Sequence, residues 1–173
     1  NGYGKPNLNS MKLSFSIENQ VSDQKEVEFG IRKYTYSYDN NLLRLHINGV
    51  PLIIRGGNWG MPDAMLRCDG DGFDLRVRLH KEMNLNMIRN WIGMSTNELF
   101  YRACDKYGIM VFDDFWLANP VDGPAPPVNS MFQDNVQSKL LQFRNHACIA
   151  IWAGRNEGYP PAMLDSVMRN EVS

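Results

Sequence analysis

The sequence predicts a mixed α/β protein: the last strands of a β-sandwich, then four βα units forming the N-terminal half of a (β/α)8 barrel. Three observations carry this. Before Trp59 the apolar residues alternate with period two. After it, short apolar runs alternate with amphipathic stretches of helical period. No glycine-rich phosphate loop follows an apolar run, which disfavours the open nucleotide-binding sheet, the other architecture built from βα units. Gly70-Asp71-Gly72 lacks a third glycine and reads as a turn.

Along the chain, Met11, Leu13, Phe15 and Ile17 point one way, and Lys12, Ser14, Ser16 and Glu18 the other. Val27, Phe29 and Ile31 repeat the scheme, and Tyr34, Tyr36 and Tyr38 continue it. Such alternation marks strands with one buried and one wet face. Residues 1–40 are therefore expected to be a sandwich remnant, too small to close a core alone, and 41–173 the barrel half. Leu43, Leu45 and Ile47 lead into Asn48-Gly49, a pair suited to the positive φ angles of a tight hairpin.

Residues 52–55 are expected as the first barrel strand, and Leu75, Leu79 and Met83 as one face of the first helix. A second strand follows over 85–91. Ser95 and Glu98 have the spacing of a capping box, opening a helix that buries Leu99, Phe100, Ala103 and Tyr107 and stops at Gly108. The third strand is 109–112. Ser130 with Gln133 forms a second capping box, before a helix with Phe132, Val136, Leu140 and Phe143 on one face. The fourth strand is 149–153, and Pro160 and Pro161 favour the first turn of a last helix carrying Leu164, Val167 and Met168.

Composition excludes several classes. The 173 residues carry a formal net charge of −1, so no basic field attracts nucleic acid or an anionic membrane. No apolar run approaches the roughly 20 residues that cross a bilayer. Cys68, Cys104 and Cys148 form no disulfide framework or Cys-x-x-Cys pair, and Cys104 and Cys148 read as small core residues. His46, His80 and His146 are too scattered for a zinc motif, so neither metal nor cofactor is expected. The chain opens Asn-Gly-Tyr-Gly, without a starting Met, and reads as cut from something longer; localisation stays open.

Active sites of barrels assemble at the C-terminal ends of the strands. Here those ends read Arg55-Gly56-Gly57-Asn58-Trp59, Arg89-Asn90-Trp91, Asp113-Asp114-Phe115-Trp116 and Gly154-Arg155-Asn156-Glu157. Rings beside carboxylates and amides suit sugars, whose C–H faces stack while their hydroxyls bond to polar groups. The plainer alternative makes each Trp core and each charge solvated. It is adequate for any one end, but weak for all of them together.

These stretches resemble glycoside hydrolase family 2, especially its β-mannosidase and exo-β-glucosaminidase branch. The resemblance rests on Asn48-Gly49 through Asn58-Trp59 to Pro62-Asp63, on 83–89, on Cys104-Asp105-Lys106-Tyr107-Gly108-Ile109, and on Arg144-Asn145-His146 with Asn156-Glu157. Asn1-Gly2-Tyr3-Gly4 and Phe29-Gly30-Ile31-Arg32 are similar to the family's immunoglobulin-like sandwich domain preceding its barrel.

The resemblance implies a role for each residue. Glu157 is the general acid/base, Asn156 bonds the sugar 2-hydroxyl, and Arg89 braces the catalytic carboxylates. Trp59 and Asp63 contact the terminal sugar, Trp91 is a further substrate contact, and Asp114 belongs to a pocket and support element. Retaining hydrolysis needs a second carboxylate about 5–5.5 Å from the first. In the family it lies on the seventh strand, beyond Ser173. The apolar run 149–153 before Glu157 suggests a setting that raises a carboxyl pKa.

The expected function is thus a fragment of a retaining hydrolase of β-mannosides, inactive without the parent chain that closes the barrel. An exo-β-glucosaminidase or a non-catalytic sugar-binding fragment is the alternative. The expected partner is a β-linked oligosaccharide or glycoside. Trp91-Ile92-Gly93, Arg155 and Ala147 depart from the β-mannosidase pattern, and Asp122-Gly123-Pro124 leans towards endo-β-mannosidases and glucosaminidases.

Overall fold

The computed structural model describes residues 4–61, 65–119, 121, 125–126 and 129–172. The chain divides into two compact units, Asn1–Leu52 and Ile53–Ser173. The division falls at Leu52, later than the expected end of the sandwich remnant at residue 40.

The first unit is all β. Strands β1 (Asn9–Ile17) and β2 (Gln20–Phe29) form an antiparallel hairpin, with Met11 opposite Val27 and Leu13 opposite Lys25. Strands β3 (Tyr34–Asp39), β4 (Leu42–Ile47) and β5 (Val50–Leu52) form an antiparallel meander. All three hairpin turns take positive φ at both central residues: Glu18-Asn19, Asn40-Asn41 and Asn48-Gly49. That is the conformation whose twist matches paired strands. The period-two pattern therefore makes the expected strands, but not the expected buried face. Met11, Leu13, Phe15 and Ile17 are all exposed, because a two-stranded ribbon has no second layer to cover it.

The second unit has a parallel sheet in the order β6 (Gly56–Trp59), β7 (Met87–Asn90), β8 (Met110–Asp114), β9 (Ile149–Ala153). The helices α1 (Gly70–Glu82), α2 (Glu98–Tyr107), α3 (Asn129–Phe143) and α4 (Ala162–Val172) follow the strands in turn. No helix among the described residues is long and apolar enough to cross a membrane.

The first parallel strand is not 52–55, as its apolar run suggested, but Gly56–Trp59. Val50–Leu52 instead pairs antiparallel with β4. The reason is close approach. A Cβ at Gly56 would lie 1.9 Å from the carbonyl oxygen of Met87, so only glycine allows the β6–β7 pairing seen here.

Helix α1 begins at Gly70, so Gly70-Asp71-Gly72, expected as a turn, forms the first turn of a helix. It buries Phe73 and Val77, while Leu75, Leu79 and Met83, the face picked out by the helical period, are exposed. Helix α2 buries Phe100, Tyr101, Ala103 and Cys104, and leaves Leu99 exposed. Its N-cap is Asn97, which accepts from the Leu99 amide, so the Ser95 capping box does not form. Gly108 ends the helix in the left-handed conformation, as expected. Helix α3 starts at Asn129, which puts Ser130 inside it, and buries the expected Phe132, Val136, Leu140 and Phe143.

Among the described residues, two apolar clusters pack within this unit. One gathers Trp59, Phe73, Val77, Ile88, Phe100 and Val111, and the other Phe115, Leu117, Phe132, Val136, Leu164 and Met168. Each such buried side chain contributes about 1.5–3 kcal/mol.

Candidate active site

Strand alternation sorts the polar residues onto two faces. Asn58, Arg89 and Phe112 are register partners and share one face, with Asp114 two residues beyond Phe112. Trp59, Asn90 and Asp113 are register partners on the other face, towards the helices. The adjacent carboxylates Asp113 and Asp114 therefore serve different surroundings.

On the first face, Arg89 makes a two-pronged contact with Asp114, Nε to Oδ1 at 3.2 Å and Nη2 to Oδ2 at 2.7 Å. Nη2 also donates to Asn156 Oδ1 at 3.0 Å. Asp114 is fully buried and takes a third donor, the Ile92 amide, at 3.0 Å. Holding that amide in place puts Ile92 at φ 45°, unusual for a β-branched residue. Asn156 is buried too, and its main-chain N–H donates to the Leu117 carbonyl at 2.9 Å. Arg89 has only donors, so it orients the carboxamide with its oxygen inward and Nδ2 as the group left to donate.

Glu157 follows directly. It has φ 54°, is exposed, and accepts from Asn119 Nδ2 at 3.3 Å. The apolar enclosure expected from the run 149–153 is not what surrounds it, because Glu157 lies four residues past the end of β9 at Ala153.

Trp59 is also corrected. It is 4% exposed and packs against Phe73, His80 and Phe100, with centroid separations of 6.4, 5.7 and 5.1 Å. It sits on the helix face of β6 and serves as core, not as an open sugar platform. Trp91 is half-buried at the start of the short 3₁₀ turn Trp91–Gly93. Asp63 lies outside the described residues. Arg89, Asp114 and Asn156 are thus brought together, with Glu157 next in the chain.

A polar cluster behind Asp114 escaped the sequence reading. Asp113 accepts from Lys139 Nζ at 2.8 Å, Asn90 Nδ2 at 2.9 Å and the Tyr101 hydroxyl at 2.7 Å. Asn90 further exchanges bonds with the main chain of Ser95, at 2.8 and 2.9 Å. Burial pushes the Asp113 carboxyl pKa up and the Lys139 ammonium pKa down, and each partner's charge opposes the shift. Burial also raises the Tyr101 hydroxyl. One signal could have found the lysine: residues 132, 136, 139 and 143 share one face of α3, so Lys139 stands within the buried stripe.

A second cluster fixes the start of β9. Asp105 accepts from the Cys148 amide at 2.7 Å and contacts His146 Nδ1 at 2.6 Å, while Glu98 lies 3.3 Å from Nε2. Burial alone would lower the His146 pKa. The Asp105 hydrogen bond and the Asp105 and Glu98 charges outweigh it and raise the pKa.

No protein-family model matches the chain. It is 32% identical over 184 residues to the mannosylglycoprotein endo-β-mannosidase of Lilium longiflorum, covering 99% of this chain and 19% of that enzyme. It is 40% identical over 111 residues to the exo-β-D-glucosaminidase of Hypocrea virens, covering 63% of this chain and 12% of the relative. The structure of the β-D-mannosidase of Dictyoglomus thermophilum superposes with a TM-score of 0.83 at 28% identity, covering 98% of this chain and 24% of that one. The chain thus spans about a fifth or less of the curated relatives' length.

Proposed function

Because the chain is a homologue of the β-mannosidases and exo-β-D-glucosaminidases, we propose that it is the acid/base-bearing part of a retaining β-glycoside hydrolase, with β-mannosides as substrates. The observation that carries this reading is the Arg89–Asp114–Asn156 cluster at the strand ends, with Glu157 next in sequence. The parallel sheet is read as the first half of a (β/α)8 barrel, and the first unit as the end of an immunoglobulin-like sandwich domain. The remainder of a longer parent chain closes that barrel.

In this mechanism Glu157 donates its proton to the glycosidic oxygen as the bond to the anomeric carbon breaks. A carboxylate from the seventh strand, beyond Ser173, attacks that carbon and forms the glycosyl-enzyme. Glu157, now ionised, takes a proton from water, which displaces the enzyme carboxylate with net retention. Arg89 holds the Asn156 carboxamide so that Nδ2 donates to the sugar 2-hydroxyl, a bond that strengthens as the transition state develops. Asp114 fixes Arg89 and takes no part in bond making.

The 40% identity to an exo-β-D-glucosaminidase supports β-glucosaminides as the second substrate class. The test assays the full-length parent on aryl β-mannoside and aryl β-glucosaminide, following the anomeric configuration of the first product by NMR. Faster release from the mannoside with a β-configured first product is expected. Inversion, or hydrolysis of neither substrate, contradicts the reading.

A further inference from the structure

We propose that Lys139 is a positioning residue of this site, acting from α3 through the main chain of Asp114. The inference rests on the hydrolase reading above and names a residue which that reading leaves out. Lys139 is 3% exposed, and its ammonium divides its donors between two neighbours: Asp113 Oδ1 at 2.8 Å and the Asp114 carbonyl at 2.9 Å. The rings of Phe115, Trp116 and Trp152 surround it, with centroids 5.6, 5.0 and 5.7 Å away.

The second bond is the informative one. Neutralising Asp113 needs only the first. Bonding to the Asp114 carbonyl fixes the residue whose carboxylate, on the opposite face of the sheet, grips Arg89. The route then runs from Arg89 to Asn156 Oδ1. Gly93 leaves room for this contact. A Cβ there, at φ +62°, would lie 2.6 Å from the Asp114 carbonyl oxygen and 3.1 Å from Lys139 Nζ.

Stability alone is a poor account of such a group. Buried ion pairs are often replaceable by apolar pairs with no loss of stability, since desolvation offsets their attraction. What an apolar replacement cannot reproduce is a donor aimed at the Asp114 carbonyl. Removing both charges together therefore separates the two roles.

The experiment uses the full-length parent carrying D113N/K139M, compared with wild type. Thermal melting should stay near wild type, because no unpaired buried charge remains. The kcat/KM on aryl β-mannoside should fall about tenfold or more, as for other small misplacements of a reacting constellation. The preference for that substrate over its 2-deoxy analogue should narrow, because Asn156 is no longer held for the 2-hydroxyl. Hydrogen exchange in the peptide covering 90–94 should quicken, because the Ile92 amide loses its fixed acceptor. Should D113N/K139M not fold, D113N/K139L, which likewise removes both charges and the donor to the Asp114 carbonyl, makes the same comparison. A stable variant with wild-type kcat/KM, wild-type 2-deoxy discrimination and unchanged exchange overturns the proposal. A wild-type parent inactive on every aryl β-glycoside sinks the hydrolase reading instead, and the exchange comparison still decides for or against Lys139.

Discussion

Arg89 Nη2 lies 2.7 Å from Asp114 Oδ2 and 3.0 Å from Asn156 Oδ1, so one guanidinium group ties together the ends of β7, β8 and β9. Its planar fork suits this double duty, which a single ammonium does not reproduce. Arg89→Lys in the full-length parent should lower kcat/KM by a factor corresponding to about 2–3 kcal/mol, since Asp114 stays buried with a poorer partner. The Arg89 side chain is 26% exposed, which limits the loss. A variant with wild-type kinetics would show that the Asp114 and Asn156 contacts do not matter to the reaction.

Trp59 should behave as a core residue. Trp59→Ala removes a side chain packed on Phe73, His80 and Phe100 and should cost about 3–5 kcal/mol of stability. Molecules that still fold should bind a β-mannoside product as wild type does. Weakened sugar binding with little change in the thermal midpoint would return the ring to the pocket.

His146 makes stability depend on pH. Its pKa is raised in the folded state, so folding binds the proton more tightly than the unfolded chain does. The stabilisation is complete below the unfolded value of about 6.5 and is lost as pH rises through the folded value. The gap in thermal midpoint between wild type and His146→Gln should therefore shrink from pH 6 towards pH 9. A gap that widens over that interval contradicts the Asp105 and Glu98 contacts as its cause.

Residues 1–173 expressed alone should self-associate. Leu13, Phe15 and Ile17 on β1 are 49%, 64% and 58% exposed, and Ile31 and Tyr36 are 79% and 78% exposed. Exposed apolar side chains of this kind promote association. Light scattering should find oligomers, and aryl β-mannoside hydrolysis should be undetectable. A monodisperse, active monomer would remove the requirement for a second carboxylate beyond Ser173.

The order of strands and helices and the chemistry of the strand ends were legible because they depend on local pattern. Asn48-Gly49, Gly108 and the α3 stripe are of this kind. Other features are settled by tertiary contacts that leave a weaker local trace. Gly56–Trp59 has no apolar run, and its strand character comes from the close approach of Met87 to Gly56. Helix α1 offers two apolar faces, and periodicity alone does not choose Phe73 and Val77 over Leu75 and Leu79. The roles of Asp113 and Asp114 diverge because neighbouring strand residues face opposite ways, and only the structure shows which side the helices occupy.

Glu157→Gln in the full-length parent tests the central claim most directly. A glutamine cannot protonate the departing oxygen, so substrates with poor leaving groups should lose nearly all turnover, while activated aryl glycosides keep far more. Added azide should restore turnover on the activated substrates by capturing the glycosyl-enzyme, with a β-glycosyl azide as product. Equal loss on both substrate types, with no azide product, would contradict Glu157 as the acid/base.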